Sequence, residues 1–276
     1  MLTEPRCDRG FALLIVLWVL VLVAFLVAQV VAAGHTELRI AGNLYANAAA
    51  EAALEGAVNE ALFHLSDPQP GRRWALDGRP RELAIGHSRI ILRLENEAAR
   101  INPNLASPAV LEGLLRASGS DAATSKQLAT AIAEWVGTAV AARSAADVAA
   151  DYWAAGLGYR PPGQPMETLD ELARVLGMTP AVLAGIRPHL TLYGPQTPEL
   201  AAADPVVAAA FDFVRKRPGG FRANVPRGRR GGVTMVRITA TAHGPENAEV
   251  TRVAVIRFNP QRPYASAMLA WGPSIE

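Results

Sequence analysis

An apolar run from Phe11 to Ala33, interrupted by a polar side chain only at Gln29, constrains this chain more than any other feature. Its 23 residues, wound as a helix at ~1.5 Å per residue, cross the ~30 Å hydrocarbon core of a bilayer. A secretory signal has a shorter apolar core of about 7 to 15 residues, followed by a small-residue cleavage site, so this run is expected to remain as an anchor. The polar head before it, Met1 to Gly10, carries Arg6 and Arg9. Positive charge on the short side holds the head in the cytoplasm, and everything beyond Ala33 then lies outside the inner membrane.

The helix is expected to continue past the membrane. Between Gly34 and Leu65 there is no proline, and Leu38, Ala41, Tyr45, Ala49, Ala52, Ala53 and Leu62 recur at spacings compatible with one helical face. Ser66-Asp67-Pro68 then stops it. Phe11 to Leu65 is 55 residues, or roughly 80 Å of helix. Its lower half is greasy, and its upper half is alanine-rich with Glu51, Glu55 and Glu60.

Further on, Asn104 to Ser107 offers cap residues ahead of an apolar-periodic stretch that Gly119 ends. Gln127 to Trp135 reads as a second helix. Thr168 with Glu171 makes a capping box for a third, and Thr179-Pro180 starts a fourth with proline at its first position. Strand patterns lie on either side. Ser88 to Leu94 alternates Ile90, Leu92 and Leu94 against Arg89, Ile91 and Arg93. Val233 to Ala242 and Ala248 to Phe258 flank Gly244-Pro245-Glu246-Asn247, a hairpin signal. The order helix, strand, helices, strands predicts an α+β fold with an all-helical insert.

Composition and motifs narrow the function. At 50% hydrophobic and 19% charged residues the chain has enough apolar surface to fold and is not a disordered sequence. The sole cysteine, Cys7, excludes an internal disulfide framework and any CxxC redox or metal motif. None of His35, His64, His87, His189 and His243 lies in an HExxH pattern, and no GxSxG, Walker A or Rossmann glycine run is present. His189, beside Pro188 at the end of an expected helix, reads as a packing or capping residue, and no catalysis is expected. Arg215, Lys216, Arg217, Arg222, Arg227, Arg229 and Arg230 crowd a stretch rich in glycine. Such runs are usually solvated loops.

The junction Arg9-Gly10-Phe11-Ala12-Leu13-Leu14 resembles the type IV prepilin signal. The resemblance implies cleavage by a prepilin peptidase between Gly10 and Phe11 and N-methylation of Phe11. Ordinary pilins carry glutamate at the fifth mature position, where this chain has Ile15. A carboxylate at membrane depth costs about 2.5 to 3.5 kcal/mol, so it is kept only where a neighbour's amine answers it. A subunit with nothing above it has no such neighbour, and loss of that glutamate marks the minor pseudopilin K family of type II secretion (general secretion pathway protein K). Other segments resemble this family in order: Arg100-Ile101-Asn102-Pro103-Asn104-Leu105-Ala106-Ser107, Asp151-Tyr152, Gly158-Tyr159-Arg160-Pro161, Glu167 to Leu172, Leu176 to Pro180, Pro188 to Tyr193, Ile256-Arg257-Phe258, Pro263-Tyr264 and Leu269-Ala270-Trp271.

The resemblance implies a type IV pilin-like fold, with a long N-terminal helix and small antiparallel sheet, carrying a large all-helical inserted domain. Expected segments are a leader at 1–10, a transmembrane part at 11–33 and a periplasmic helical part at 34–66. First strands at 67–96, the insert at 97–215 and returning strands at 216–276 complete the chain. The implied role is at the tip of the type II secretion pseudopilus, initiating and capping assembly for export across the outer membrane. Minor pseudopilins I and J, with H and the major pseudopilin, are the implied partners. Calcium is the one ion the resemblance suggests, with Asp147 and Asp151 as candidate ligands. The family's run of aspartates after the tryptophan is replaced here by Val136, Gly137, Thr138 and Ala139.

The alternative is a membrane-anchored periplasmic helix-hairpin-helix DNA-binding protein, to which the asparagine-rich segment and Leu176-Gly177-Met178 are also similar. Those hairpins present glycine amides to phosphate, and the glycine-x-glycine pattern is missing. Glu97 to Tyr193 holds seven basic and nine acidic residues, the wrong sign for a nucleic-acid footprint.

Overall fold

The computed structural model describes residues 8–69, 71–138, 143–217, 233–244, 249–259 and 266–273. Helix α1 runs unbroken from Asp8 to Leu65, 58 residues and about 87 Å at the usual rise. Phe11–Val31 is the part long and apolar enough to cross a membrane, and none of it is buried by the rest of the chain.

Beyond this apolar segment, α1 packs on an antiparallel sheet through Ala46, Ala50, Ala53, Leu54, Ala57, Val58, Ala61 and Leu65, all buried. This face differs from the one expected. Leu38 and Tyr45 are 72% and 77% exposed, Ala41 and Ala52 are exposed, and only Ala53 of that set is buried. Alanine recurs on every side of this helix, so periodicity alone does not single out a face. The sheet selects the stripe, and Leu38 and Tyr45 lie outside it.

The strands β1 (Arg81–Ile85), β2 (Ser88–Asn96), β3 (Thr234–His243), β4 (Glu249–Phe258) and β5 (Ala267–Gly272) form one sheet in sequential order. Every neighbouring pair is antiparallel. The alternation expected in β2 holds: Ile90, Leu92 and Leu94 are fully buried and share a core with α1 and with Val236, Ile238, Ala240, Ala242, Ala254, Ile256 and Phe258. Strands β3 and β4 pair from Thr234↔Phe258 to His243↔Glu249, as the hairpin pattern predicts. The turn residues Pro245 to Asn247 lie outside the described residues, as do Cys7, Ala139, Arg222, Arg227, Arg229, Arg230, Pro263 and Tyr264.

Between β2 and β3 the chain builds a second core from helices. These are α2 (Pro108–Ala117), α3 (Ala122–Trp135), α4 (Ala145–Ala154), α5 (Pro180–Ile186) and α6 (Pro205–Arg215), with short 3₁₀ turns at Glu97–Ala99, Leu169–Arg174 and Arg187–His189. Leu111, Leu114, Leu115, Leu128, Ile132, Tyr152 and Leu172 centre this core. Ser107 caps α2 by accepting from the Val110 amide, and Thr179 caps α5 through Val182, both as expected.

Three features correct the sequence reading. Helix α3 starts at Ala122 rather than Gln127, because the Asp121 side chain accepts from the Ala123 and Thr124 amides. The Thr168 capping box opens a 3₁₀ turn rather than an α-helix. With three residues per turn, Leu169 and Leu172 fall on one line, and both are buried in the core. Helix α6 was not anticipated, although Asp204-Pro205 is a cap followed by proline at the first helical position. Helices α2 and α6 cross so closely that a Cβ on Gly113 would come within 2.6 Å of the Ala210 carbonyl oxygen.

Candidate functional site: anchor and inserted helical region

Two surfaces could carry function, the bare anchor and the helical region that the sheet holds. Along the anchor the apolar side chains face outward, from Phe11 at 69% exposure to Trp18 at 70%, with Ile15 at 49%. No acidic side chain occurs between Phe11 and Val31. Gly10 and Phe11 lie within α1, where its apolar run begins.

The helical region is joined to the sheet through a buried charge cluster. Glu97, fully buried at the end of β2, accepts from Arg237 of β3 at 2.7 Å and 2.8 Å and from the Thr191 hydroxyl at 2.6 Å. Arg100 Nη1 stands 3.7 Å away. Burial alone would push the Glu97 carboxyl up. The Arg237 and Arg100 guanidiniums and the Thr191 hydroxyl outweigh it and hold the carboxyl below the usual range.

The asparagine-rich segment is part of the same joint. Ile101 forms a parallel bridge with Leu190. Its amide donates to the His189 carbonyl at 2.9 Å, and the Thr191 amide donates to the Ile101 carbonyl at 2.9 Å. The Asn102 amide group donates to the carbonyls of Leu192 and Gly194, each at 3.0 Å, while its oxygen accepts from the Asn104 amide. Asn104 in turn pairs with both backbone groups of Met166, at 3.0 Å and 2.8 Å. The motif's polar groups therefore tie the helical region together from within. At Leu176, where a hairpin would present amides to phosphate, the amide donates to the Tyr152 hydroxyl at 3.0 Å.

His189 Nδ1 lies 2.8 Å from Asp204 Oδ2, and Asp204 Oδ1 accepts from the Val206 and Val207 amides at the start of α6. The histidine thus braces a helix cap. Burial pushes the Asp204 carboxyl up, and the His189 bond and the two amides bring it below its ordinary value. Where the chain leaves the helical region, the Arg116 and Arg217 guanidiniums lie 4.9 Å and 4.8 Å from the Phe213 ring centre. Both pair with the buried Glu112, at 3.0 Å and 2.8 Å. Of the basic run, Arg215 is paired to Asp212 at 2.7 Å.

The candidate calcium ligands do not fit the ion. Asp147 completes a capping box with Ser144, its Oδ2 accepting from the Ser144 hydroxyl at 2.7 Å and amide at 3.2 Å. Asp151 is ion-paired to Arg143. Glu134, the nearest further carboxylate of α3, lies 3.5 Å from Arg143 Nη1; burial first, and then the Asp151 charge, push its carboxyl up despite Arg143. Among the described residues no group of three His, Cys, Asp or Glu side chains could hold a metal, whereas calcium needs six to eight oxygens.

Comparison with known proteins agrees with the geometry. Residues 91–196, from mid β2 to beyond the Ile101–Leu190 bridge, match the family described as Type II secretion system (T2SS), protein K. No curated protein sequence matches the chain. Among solved structures the fold is similar to a chain of the GspK-GspI-GspJ complex from the type 2 secretion system of enterotoxigenic Escherichia coli. The TM-score is 0.57 at 15% identity, over 86% of this chain and 98% of that one. Residues 91–196 thus match a protein K domain of the type II secretion system, and the fold around them is similar to that of a chain from a GspK-GspI-GspJ complex.

Proposed function

We propose that this chain is the tip subunit of the pseudopilus, with a type IV pilin-like head, and that it starts and caps assembly together with minor pseudopilins I and J. The observation that carries the reading is the pairing of a bare apolar anchor with a protein K match that runs from mid β2 through most of the helices before β3. The anchor suits a helix that lies first in lipid and then among other subunits' helices. A tip subunit has no subunit stacked on it, and the large helical region carried between β2 and β3 suits such a cap. Segments 97–215 and 216–276 serve as insert and returning strands, and H and the major pseudopilin follow below.

In this reading the chain crosses the inner membrane once, head in the periplasm, and is cut between Gly10 and Phe11, which is then N-methylated. The scissile bond lies within the helical residues of α1, just before its apolar run begins at Phe11. The similar solved chain is part of a complex with GspI and GspJ, which supports I and J as partners.

Mass spectrometry of the membrane-extracted chain tests the processing, and a mature protein starting at Met1 refutes it. Position is tested by Ile15→Glu. Ile15 needs no amine above it, so the variant should secrete no better than wild type and should insert less well, by less than the roughly 2.5 to 3.5 kcal/mol of a carboxylate at a helix centre, because Ile15 lies near one end of the apolar run. A clear gain in secretion would remove the tip assignment.

A further inference from the structure

The loop between α3 and α4 is anchored at both ends by its own hydrogen bonds. At its start Gly137 takes φ +74°, and the Thr138 amide donates to the Ala133 carbonyl at 3.0 Å, a left-handed helix ending. A Cβ on Gly137 would lie 2.4 Å from the Gly163 carbonyl oxygen, so residue 163 rests directly on this turn. The Gly163 amide donates to the Trp135 carbonyl at 3.1 Å. At the other end the Ser144–Asp147 capping box starts α4.

Among the described residues of this loop, Arg143 makes a further connection. Its guanidinium bonds Asp151 of α4, stands 3.5 Å from Glu134 of α3 and reaches the Asp147 carbonyl at 3.4 Å. The rest of the segment, Ala139-Val140-Ala141-Ala142, contributes no side-chain oxygen. Two carboxylates from successive helices therefore converge on a permanent cation supplied by the chain itself, since arginine stays protonated at any working pH.

We infer that Arg143 takes the place of a divalent cation at this loop, joining Glu134 to Asp151, so that the helical region holds its fold without calcium. A metal ion entering between these carboxylates would meet the guanidinium's like charge and find too few oxygens to replace its water. The inference stands whether or not the tip placement holds, because it concerns the loop alone.

The test uses the full-length chain in detergent, stripped with chelator, and follows thermal unfolding with and without millimolar calcium, with magnesium as the ionic-strength control. The expected midpoint is the same in all three, and calorimetric titration with calcium shows no saturable heat. A calcium-specific rise in midpoint, or saturable binding, overturns the inference. A second arm uses Arg143→Gln, Asp151→Asn and their combination. Each single change should raise the unfolding constant about twofold to fivefold, the range for a part-exposed ion pair, and the double should go no further than either single. Fully multiplicative effects, or an Arg143→Gln protein identical to wild type, overturn it as well.

Discussion

Replacing Arg237 by glutamine probes how the sheet and the helical region are held as one body. Arg237 is 6% exposed and its partner Glu97 is not exposed at all. Two bonds of 2.7 Å and 2.8 Å are lost together. Breaking a buried pair by removing one partner costs about 3–5 kcal/mol, because a charge is left uncompensated. Here Arg100 at 3.7 Å and the Thr191 hydroxyl at 2.6 Å remain, which lowers the expected cost to about 2–4 kcal/mol. At about 2–4 °C per kcal/mol for a body of this size, the midpoint should fall by roughly 5–15 °C. Thermal and urea unfolding of the detergent-solubilised chain, followed both by circular dichroism and by tryptophan fluorescence, provides the measurement. The variant should also lose coincidence between the two probes, since Glu97 and Arg237 belong to different sides of the joint. The pH dependence carries its own sign. The Glu97 carboxyl is depressed in the folded protein, so its contribution is present above the unfolded value near ~4.3 and is lost as pH falls through the lower folded one. Wild type should therefore keep its advantage over Arg237→Gln at neutral pH and lose it in acid. A loss below about 1 kcal/mol with one coincident transition would refute the coupling.

Two further outcomes separate competing readings of the same elements. Leu54→Ala on α1 removes a fully buried side chain and should cost about 2–5 kcal/mol, whereas Tyr45→Ala, 77% exposed, should leave chemical unfolding unchanged; equal effects would put the wrong face of α1 on the sheet. Asp204→Asn should flatten the acid limb of stability, because the depressed Asp204 carboxyl stabilises above its unfolded value near ~3.9 and ceases to as pH falls through the folded one; an unaltered acid titration would refute the role of the His189–Asp204 brace.

Elements with local signals were legible before the structure. The length of α1 followed from a proline-free run, β2 from strict alternation at Ile90, Leu92 and Leu94, and the starts of α2 and α5 from Ser107 and Thr179-Pro180. What was hidden depends on contacts distant in sequence. The buried stripe of α1 could not be chosen among many alanines until Ile238 and Ala254 were opposite it. Glu97 looked like any surface acid, and only pairing of β2 with β3 brings Arg237 to it. Asn102 and Asn104 stand out as a motif in the sequence, but their partners at Leu192, Gly194 and Met166 lie far along the chain. Asp147 and Asp151 at helical spacing were ambiguous by pattern; Ser144 and Arg143 decide what they hold.

The strand order has a consequence for how the molecule is made. Because β2 and β3 are neighbours in the sheet, with Asn96 opposite Val236, the whole helical region leaves and returns through adjacent points of one ladder. Bringing those points together across a coil on the order of 140 residues costs about 3 kcal/mol more in chain entropy than closing a four-residue hairpin. A helical region that has already compacted around its own core, with Ile101 bridged to Leu190 near its base, brings the two strand ends close beforehand and removes most of that cost. Loop-closure entropy therefore favours a definite order during folding: the helical region collapses first, and the central ladder zips afterwards. A chain whose helical core is slow to form would emerge with α1's apolar stripe and two unpaired strand edges exposed together, the state most prone to aggregate.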